Sequence, residues 1–266
     1  MNILKDKEIL QHLRENFKDD ISSSSHWILQ HNSMSLSNGE DGFENSRGHY
    51  GFEGFTPRKF LRAPFHSIFQ HRYIAMGKKF PLFSQFLRHG REIVDSWHGQ
   101  FDLGMIRQIH TLAMVDSTKL LNNEKFFLVI GDGFGALTSL LLTSVPNSRV
   151  ILVNLSKTLI ADVTYISRAL PNTRIALATE PDHVQRISKD DSVRVMVIKA
   201  DDCELISHAS IGTAFNIASM QEMNKPIIEK YFSLMRNTKQ QITFYCCNRL
   251  EKKLPDGATI RFMDYP

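Results

Sequence analysis

The sequence predicts an α/β protein, built on a mostly parallel sheet with helices on both faces and preceded by an N-terminal helical cap. Short apolar runs alternate with helical patterns from residue 125 onward. The runs are continuously apolar, which is typical of parallel strands that are buried on both faces. The length of 266 residues and the 42% hydrophobic content allow a core of that size.

Residues 1–106 are predicted to form the cap. The spacing of apolar residues predicts a helix over residues 1–17. Residues 22–54 are rich in Ser, Gly and Asn, which predicts a flexible segment that acts as a linker, a mobile loop or a lid. After residue 57 we expect short helices, interrupted at Pro64, Pro81 and Gly90.

A helix predicted over residues 106–121 leads into an α/β domain of residues 107–266. Its expected strands are FFLVI, SRVILVN, TRIALAT, SVRVMVIKA, IGTAFNIAS and QQITFYCCN. Helices are expected at ALTSLLLTSV, SKTLIADVTYISRAL and KPIIEKYFSLMRN, and Pro255-Asp256-Gly257 predicts a closing hairpin. Ligands of such sheets bind beyond the carboxyl ends of the strands, so we expect the chemistry there.

Composition and charge exclude several classes of function. The 32 basic and 28 acidic residues leave a scattered net charge of +4, so we expect no nucleic-acid partner. Cys203, Cys246 and Cys247 have no metal-binding spacing, which predicts reduced core thiols in a cytoplasmic protein without a metal site. The N-terminus lacks the apolar stretch of a signal peptide, and no window is long enough for stable membrane insertion.

The most informative local pattern is a glycine bend between an apolar run and a helix, in FFLVIGDGFGALTSLLL. Gly131, Gly133 and Gly135 allow a tight turn and a close approach of the backbone to a ligand. The spacing Gly131-x-Gly133-x-x-Ala136 fits a dinucleotide fingerprint, and GDGFG equally fits the loop of class I S-adenosylmethionine methyltransferases. Both folds usually carry a ribose-binding carboxylate where this chain has Asn154, and Asn154-Leu155-Ser156-Lys157 would suit NADP.

Residues 127–266 resemble a family of sugar O-methyltransferases found in bacterial surface-polysaccharide gene sets. The resemblance rests on GDGFGALTSLLL, VNLSKTL, FNIASMQEM and FYCCNR followed by LPDGATIRFMDYP, which occur in the family's order on the corresponding elements. It covers a little over half of the chain. The family tends to continue beyond the DYP segment, so we expect a truncated or naturally short version.

The resemblance implies a Rossmann-like class I methyltransferase sheet that uses S-adenosyl-L-methionine to methylate a sugar hydroxyl. We expect the substrate to be a small molecule or a glycan, and we leave open a nucleotide-linked or lipid-linked sugar and a homo-oligomer. The residues that the resemblance assigns to the cofactor are Gly131, Asp132, Gly133, Gly135, Asn154, Leu155, Asp201, Asp202 and Ser219. Those it assigns to the substrate are Met220, Gln221 and Glu222. Glu222 follows the fourth strand of the family pattern and is the candidate general base.

Two departures from the family pattern keep other functions open. The family often has a carboxylate two residues before the first glycine, where this chain has Val129, and the ribose carboxylate is replaced by Asn154. Both changes remove negative charge near the cofactor. One alternative is a catalytically degenerate methyltransferase fold that acts as a binding or scaffold protein. The other is an NADP-dependent reductase, although the chain offers no Tyr-x-x-x-Lys pattern.

Overall fold

The computed structural model describes residues 6–15, 20–33, 63–121, 125–238 and 240–266. Its α-helices are α1 (Asp6–Glu15), α2 (Ser25–Ser33), α3 (Ala63–Gly77), α4 (Phe83–Asp95), α5 (Leu103–Ser117), α6 (Ala136–Ser144), α7 (Ser156–Ala169), α8 (Pro181–Lys189) and α9 (Lys225–Arg236). Its strands are β1 (Phe126–Ile130), β2 (Val150–Asn154), β3 (Arg174–Leu177), β4 (Val193–Lys199), β5 (Ile211–Ile217), β6 (Thr243–Cys247), β7 (Glu251–Lys253) and β8 (Thr259–Arg261).

Strands β1 to β6 form one sheet in the order β3-β4-β2-β1-β5-β6, and every pair is parallel. Strand β1 lies between β2 and β5, so the chain leaves it on one side and returns on the other. A crevice forms at such a point beyond the carboxyl ends of the strands. The prediction of a Rossmann-like α/β sheet is therefore confirmed, and β7 pairs with β8 in the predicted hairpin.

Helices cover both faces of the sheet. Successive residues of β1 alternate between two cores: Phe127 and Val129 pack under α1, α4, α5, α6 and α7, whereas Leu128 and Ile130 pack under α8 and α9. Both cores are almost free of solvent at the strands. The continuous apolar runs in the sequence follow from this burial on two sides.

Helices α1, α4 and α5, which begin before residue 107, belong to the same layered core. α4 and α5 pack against α6, and the expected domain boundary between residues 106 and 107 falls inside α5. The predicted interruption at Gly90 is wrong, because Gly90 lies within α4. A Cβ at Gly90 would come within 2.7 Å of Ile109 Cδ1, so the glycine serves the close approach of α4 to α5.

Part of the segment that was predicted to be flexible is helical. Residues 25–33 form α2, while residues 34–54 of that segment lie outside the described residues.

All three cysteines are free; Cys203 is buried as predicted, but Cys247 is exposed at the end of the edge strand β6. None of the helices in the described part of the chain is long and apolar enough to span a membrane.

We predict that Gly135→Ala destabilises the fold by about 3 kcal/mol, since it adds left-handed strain to overpacking. Gly135 has a φ of +70°, and a Cβ there would lie 2.7 Å from Ile166 Cγ1 and 2.9 Å from the Asp162 carbonyl oxygen. Urea unfolding measures the change. The matched control is Gly257→Ala, where φ is +90° and no atom lies within 4 Å. Equal losses for the two variants would contradict the packing argument.

Candidate functional site

The bend after β1 requires its glycines. Gly131, Gly133 and Gly135 have φ values of 72°, 87° and 70°, in the left-handed region that side chains other than glycine rarely adopt. A Cβ at Gly131 would also lie 2.0 Å from the Oγ of Ser219, which follows β5. The bend therefore brings the backbone after β1 directly against the end of β5, at the crevice between the two strands.

Asp132 fixes the bend to the helix that follows it. Its half-buried carboxylate accepts hydrogen bonds from the backbone N–H groups of Leu137 at 2.9 Å and Thr138 at 2.7 Å. These are first-turn N–H groups of α6, which would otherwise have no partner within the helix. Burial raises the pKa of Asp132, while the N–H groups oppose that rise. The positive end of α6 is thus already occupied by a carboxylate of the chain.

Asn154 is paired with a buried acid that the sequence analysis did not identify. Its Nδ2 donates to Oδ2 of Asp162 at 2.9 Å, and its Oδ1 accepts from the N–H of Leu155 at 2.9 Å. Burial and the nearby charge of Asp132 raise the pKa of Asp162 well above its usual value. A carboxyl group therefore lies directly behind the neutral amide at the end of β2.

Val129 occupies the other position at which the family often has a carboxylate, and its surroundings explain why an apolar residue is found there. Val129 is 2% exposed and packs in the core beneath the helices of one face. A carboxylate in this place would be buried among apolar side chains, which is costly unless it is paired. An apolar residue suits this environment.

Residues 20–33, which we call the strap, lie across the carboxyl ends of β2 and β4. Asp201 accepts hydrogen bonds from the N–H groups of Ile21 and Ser22, both at 2.8 Å. Asp20 in turn accepts from the N–H of Ser156 at 2.8 Å and from its hydroxyl at 2.6 Å, at the start of α7. Two carboxylates, one on each partner, therefore fasten the strap to the sheet edge.

The strap also places aromatic and titratable side chains at this edge. Trp27 is buried against Leu155 and Ala200. The Nε2 atom of His26 lies 3.5 Å from a carboxylate oxygen of Glu222, whose other oxygen is bound by Lys252. Burial lowers the pKa of His26, although the charge of Glu222 opposes this change. The imidazole is thus favoured in its neutral form beside a carboxylate.

These elements enclose a cleft of about 600 Å³, within the range of small-molecule sites. Seven of the site residues predicted from the sequence line this cleft: Gly131, Asp132, Gly133, Asn154, Ser219, Gln221 and Glu222. Five other predicted site residues lie outside its lining. Gly135 caps α6, Leu155 lies under Trp27, Asp201 binds the strap, Asp202 pairs with Lys199 at 3.4 Å, and Met220 is buried in the core under α9.

Met220 differs from the expectation for a local reason. It begins a short 3-10 turn, Met220–Glu222, in which the three side chains point in different directions. Met220 is fully buried, whereas Gln221 and Glu222 line the cleft. Two of the three residues that were predicted to bind the substrate, Gln221 and Glu222, thus line the cleft.

Sequence reasoning missed the part of the cleft that comes from distant segments. These residues are His26, Trp27, Gln30, Gln100, Asp102, Arg107, Gln108, Tyr165, Arg249 and Lys252. A tryptophan within a polar segment was the one signal for the strap. Asp102 caps α5 by accepting a hydrogen bond from the N–H of Met105. An aspartate directly before a helix is a capping pattern that can be recognised in the sequence.

Gln108 is a notable member of this set. It is 6% exposed and lines the cleft, and its Oε1 has no hydrogen-bond partner among the described residues. A buried acceptor without a partner is costly, so such an atom is suited to a donor group of a ligand.

Among the described residues, no group of three or more His, Cys, Asp or Glu side chains is arranged to hold a metal ion.

Comparison of the chain with protein-family models, with curated proteins and with solved structures finds no match.

We predict that Asp162 makes stability depend on pH. Because folding raises its pKa, the folded state holds the proton more tightly, and the resulting stability is present below the unfolded pKa of about 3.9. It is lost as the pH rises through the folded pKa. The free energy of unfolding of the wild type minus that of Asp162→Asn should therefore fall as the pH rises from about 4. Urea unfolding at several pH values measures this difference, and a difference independent of pH would refute the account.

Exchanging the two side chains tests the pair itself. Asn154→Asp alone places a second carboxyl group against Asp162 and should destabilise the fold by about 2 kcal/mol at neutral pH. The double variant Asn154→Asp/Asp162→Asn restores one acid and one amide, so we expect it to recover at least about 1 kcal/mol. Unfolding of the four proteins gives the coupling energy, and strictly additive effects would show that the contact is unimportant.

Proposed function

We propose that the protein transfers a methyl group from S-adenosyl-L-methionine to a sugar hydroxyl in the cleft, during the synthesis of a surface polysaccharide. One observation carries the choice of cofactor: Asp132 already caps the N-terminus of α6. The bend therefore presents a carboxylate to a ligand where a dinucleotide site presents free N–H groups to a pyrophosphate. A negative bend suits a sulfonium or ammonium group and disfavours NADP.

The residues present fit this cofactor at its amino-acid end. Gly131, Asp132 and Gly133 line the cleft at the bend, and Asn154 borders it at the end of β2. These groups would hold the methionine and ribose parts. The space between Leu155 and Ala200 is filled by Trp27, which itself lines the cleft. Trp27 therefore offers an aromatic surface for the nucleobase. When bound, the cofactor supplies an electrophilic methyl group.

The proposal of a sugar acceptor is supported by the polar groups of the cleft. Gln100, Gln108 and Gln221 line it, and an amide can both donate to and accept from a hydroxyl group. The Oε1 of Gln108, which has no partner within the described part of the chain, is an acceptor for a hydroxyl proton. A cleft lined by several amides suits a ligand with several hydroxyl groups.

His26 and Glu222 together are suited to take up the proton of the acceptor hydroxyl. Glu222 is paired with Lys252, so its carboxylate is better placed to orient His26 than to act as the base alone. If Nε2 of His26 donates to Glu222, Nδ1 is the acceptor. The lowered pKa keeps this imidazole neutral and ready to accept the proton near neutral pH.

One observation favours the second candidate, a binding or scaffold protein with a degenerate methyltransferase fold. Trp27 fills the space between Leu155 and Ala200, and Asp201 binds the strap instead of a ligand. If the strap never leaves this edge, the fold would keep a closed nucleoside side and bind its partner without turnover. Cofactor binding separates the two candidates.

We predict that S-adenosylhomocysteine and S-adenosylmethionine bind the folded protein at least about tenfold more tightly than NADPH. Isothermal titration calorimetry measures all three. Asp132→Asn, which keeps an acceptor for the helix but removes the charge, should weaken S-adenosylmethionine binding by about tenfold or more. Asp182→Asn, at the first turn of α8 and outside the cleft, is the matched control. Tighter binding of NADPH, or no binding of either sulfur nucleoside, would reject the proposal.

We further predict that His26→Gln lowers kcat for methyl transfer by about 10²–10⁴-fold, because the proton acceptor is lost. Transfer of a labelled methyl group to a panel of sugars provides the assay. His183→Gln is the control, because His183 also pairs with a glutamate, Glu180 at 2.8 Å, but lies outside the cleft. A kcat that is unchanged in His26→Gln would exclude this residue as the base.

A further inference from the structure

The charged side chains that line the cleft fall into two sets. In the first set, every carboxylate is already engaged by the protein. Asp102 accepts from the N–H of Met105 at 2.8 Å, Asp132 caps α6, and Glu222 is paired with Lys252. Ligand groups therefore meet carboxylates whose hydrogen-bonding partners are fixed.

The second set consists of Arg107 and Arg249. Both are exposed, both border the same cleft, and neither guanidinium makes a hydrogen bond or an ion pair within the described part of the chain. They come from different elements: Arg107 lies on α5, and Arg249 follows β6. By contrast, Arg174 and Arg261 outside the cleft are paired with carboxylates. Two positive charges thus border one cleft, and neither has a partner among the residues that the structure describes.

The inner and outer parts of the cleft therefore differ in the ligand charge that they favour. Asp132 lines the cleft at the bend, where its carboxylate stabilises a cationic group. Arg107 and Arg249 are at the exposed lining, where an anion is stabilised. A guanidinium presents a planar fork of N–H groups that matches a carboxylate or a phosphate, and two such groups around one cleft also attract anions from solution.

We propose that the exposed part of the cleft is a subsite for an anionic sugar, whose carboxylate or phosphate is bound by Arg107 and Arg249. This proposal rests on the proposed function for the reaction that the sugar undergoes. The anionic group faces the two arginines, and a hydroxyl group of the same sugar can donate to the Oε1 of Gln108, which is unpartnered among the described residues. A neutral sugar would offer no anionic group to either guanidinium.

Titrations at constant ionic strength test the subsite with D-glucuronate, glucose 6-phosphate and glucose as probes. NMR spectra of the ¹⁵N-labelled full chain follow the arginine Nε–H signals and give dissociation constants without requiring turnover. We expect at least one anionic probe to bind at least about tenfold more tightly than glucose. The stronger of the two anionic probes shows whether a carboxylate or a phosphate is preferred.

Arg107→Gln and Arg249→Gln should each weaken binding of the preferred anionic probe, and the double variant should reduce it to the level of glucose. Arg236→Gln on α9, outside the cleft, changes the net charge equally and should leave binding unchanged. Equal binding of all three sugars, or an equal loss in Arg236→Gln, overturns the subsite. Folding of each variant is checked by its amide spectrum, and Arg→Lys variants replace any that do not fold.

Titration with S-adenosylmethionine in the same samples separates this proposal from the proposed function. Arginine-dependent binding of an anionic sugar without any binding of the cofactor supports the subsite and rejects the methyltransferase. Cofactor binding without preference for an anionic sugar rejects the subsite alone.

Discussion

The site depends on one half-buried carboxylate, Asp132, which holds the glycine bend against the first turn of α6. The bend itself is strained for any residue but glycine, and its backbone lies against Ser219 at the end of β5. Without the capping carboxylate, the first-turn N–H groups of α6 would be free and the crevice would favour anions. With it, the inner end of the cleft carries negative charge. The charge that the bend offers to a ligand therefore follows from how this one side chain is used.

The strap makes the N-terminal part of the chain a component of the site. Its carboxylate Asp20 binds the start of α7, and the sheet's own Asp201 binds the strap's backbone. The same segment brings Trp27 and His26 to the cleft. A Rossmann-like sheet leaves its carboxyl edge open to solvent, and here a separate segment closes part of that edge. The shape of this part of the cleft consequently depends on hydrogen bonds between residues 136 to 180 positions apart in the sequence.

Sequence predicted the sheet well because burial on two faces forces each strand to be continuously apolar. FFLVI and SRVILVN lie where they were expected, and so does the short edge strand β3. Gly90 was misread because a glycine that allows two helices to approach has the same local pattern as one that ends a helix. Sequence patterns around a glycine cannot distinguish a helix end from a close helix contact, since the contacting helix α5 begins thirteen residues after Gly90.

The candidate site was predictable only where it is local. Gly131, Asp132 and Gly133 follow one strand directly, and parallel topology brings Asn154 and Ser219 to the same edge. Asp162 lies on the inner face of α7 and contributes through a hydrogen bond that no spacing rule announces. Arg107 and Arg249 come from segments that only the tertiary fold brings to the same cleft.

The most direct test is a crystal structure of the full chain with S-adenosylhomocysteine bound. The account predicts density for the ligand in the cleft, with its ammonium group on the Asp132 side of the bend and its base against Trp27. Density elsewhere, or a cleft that stays empty at saturating ligand with the strap in place, would contradict it.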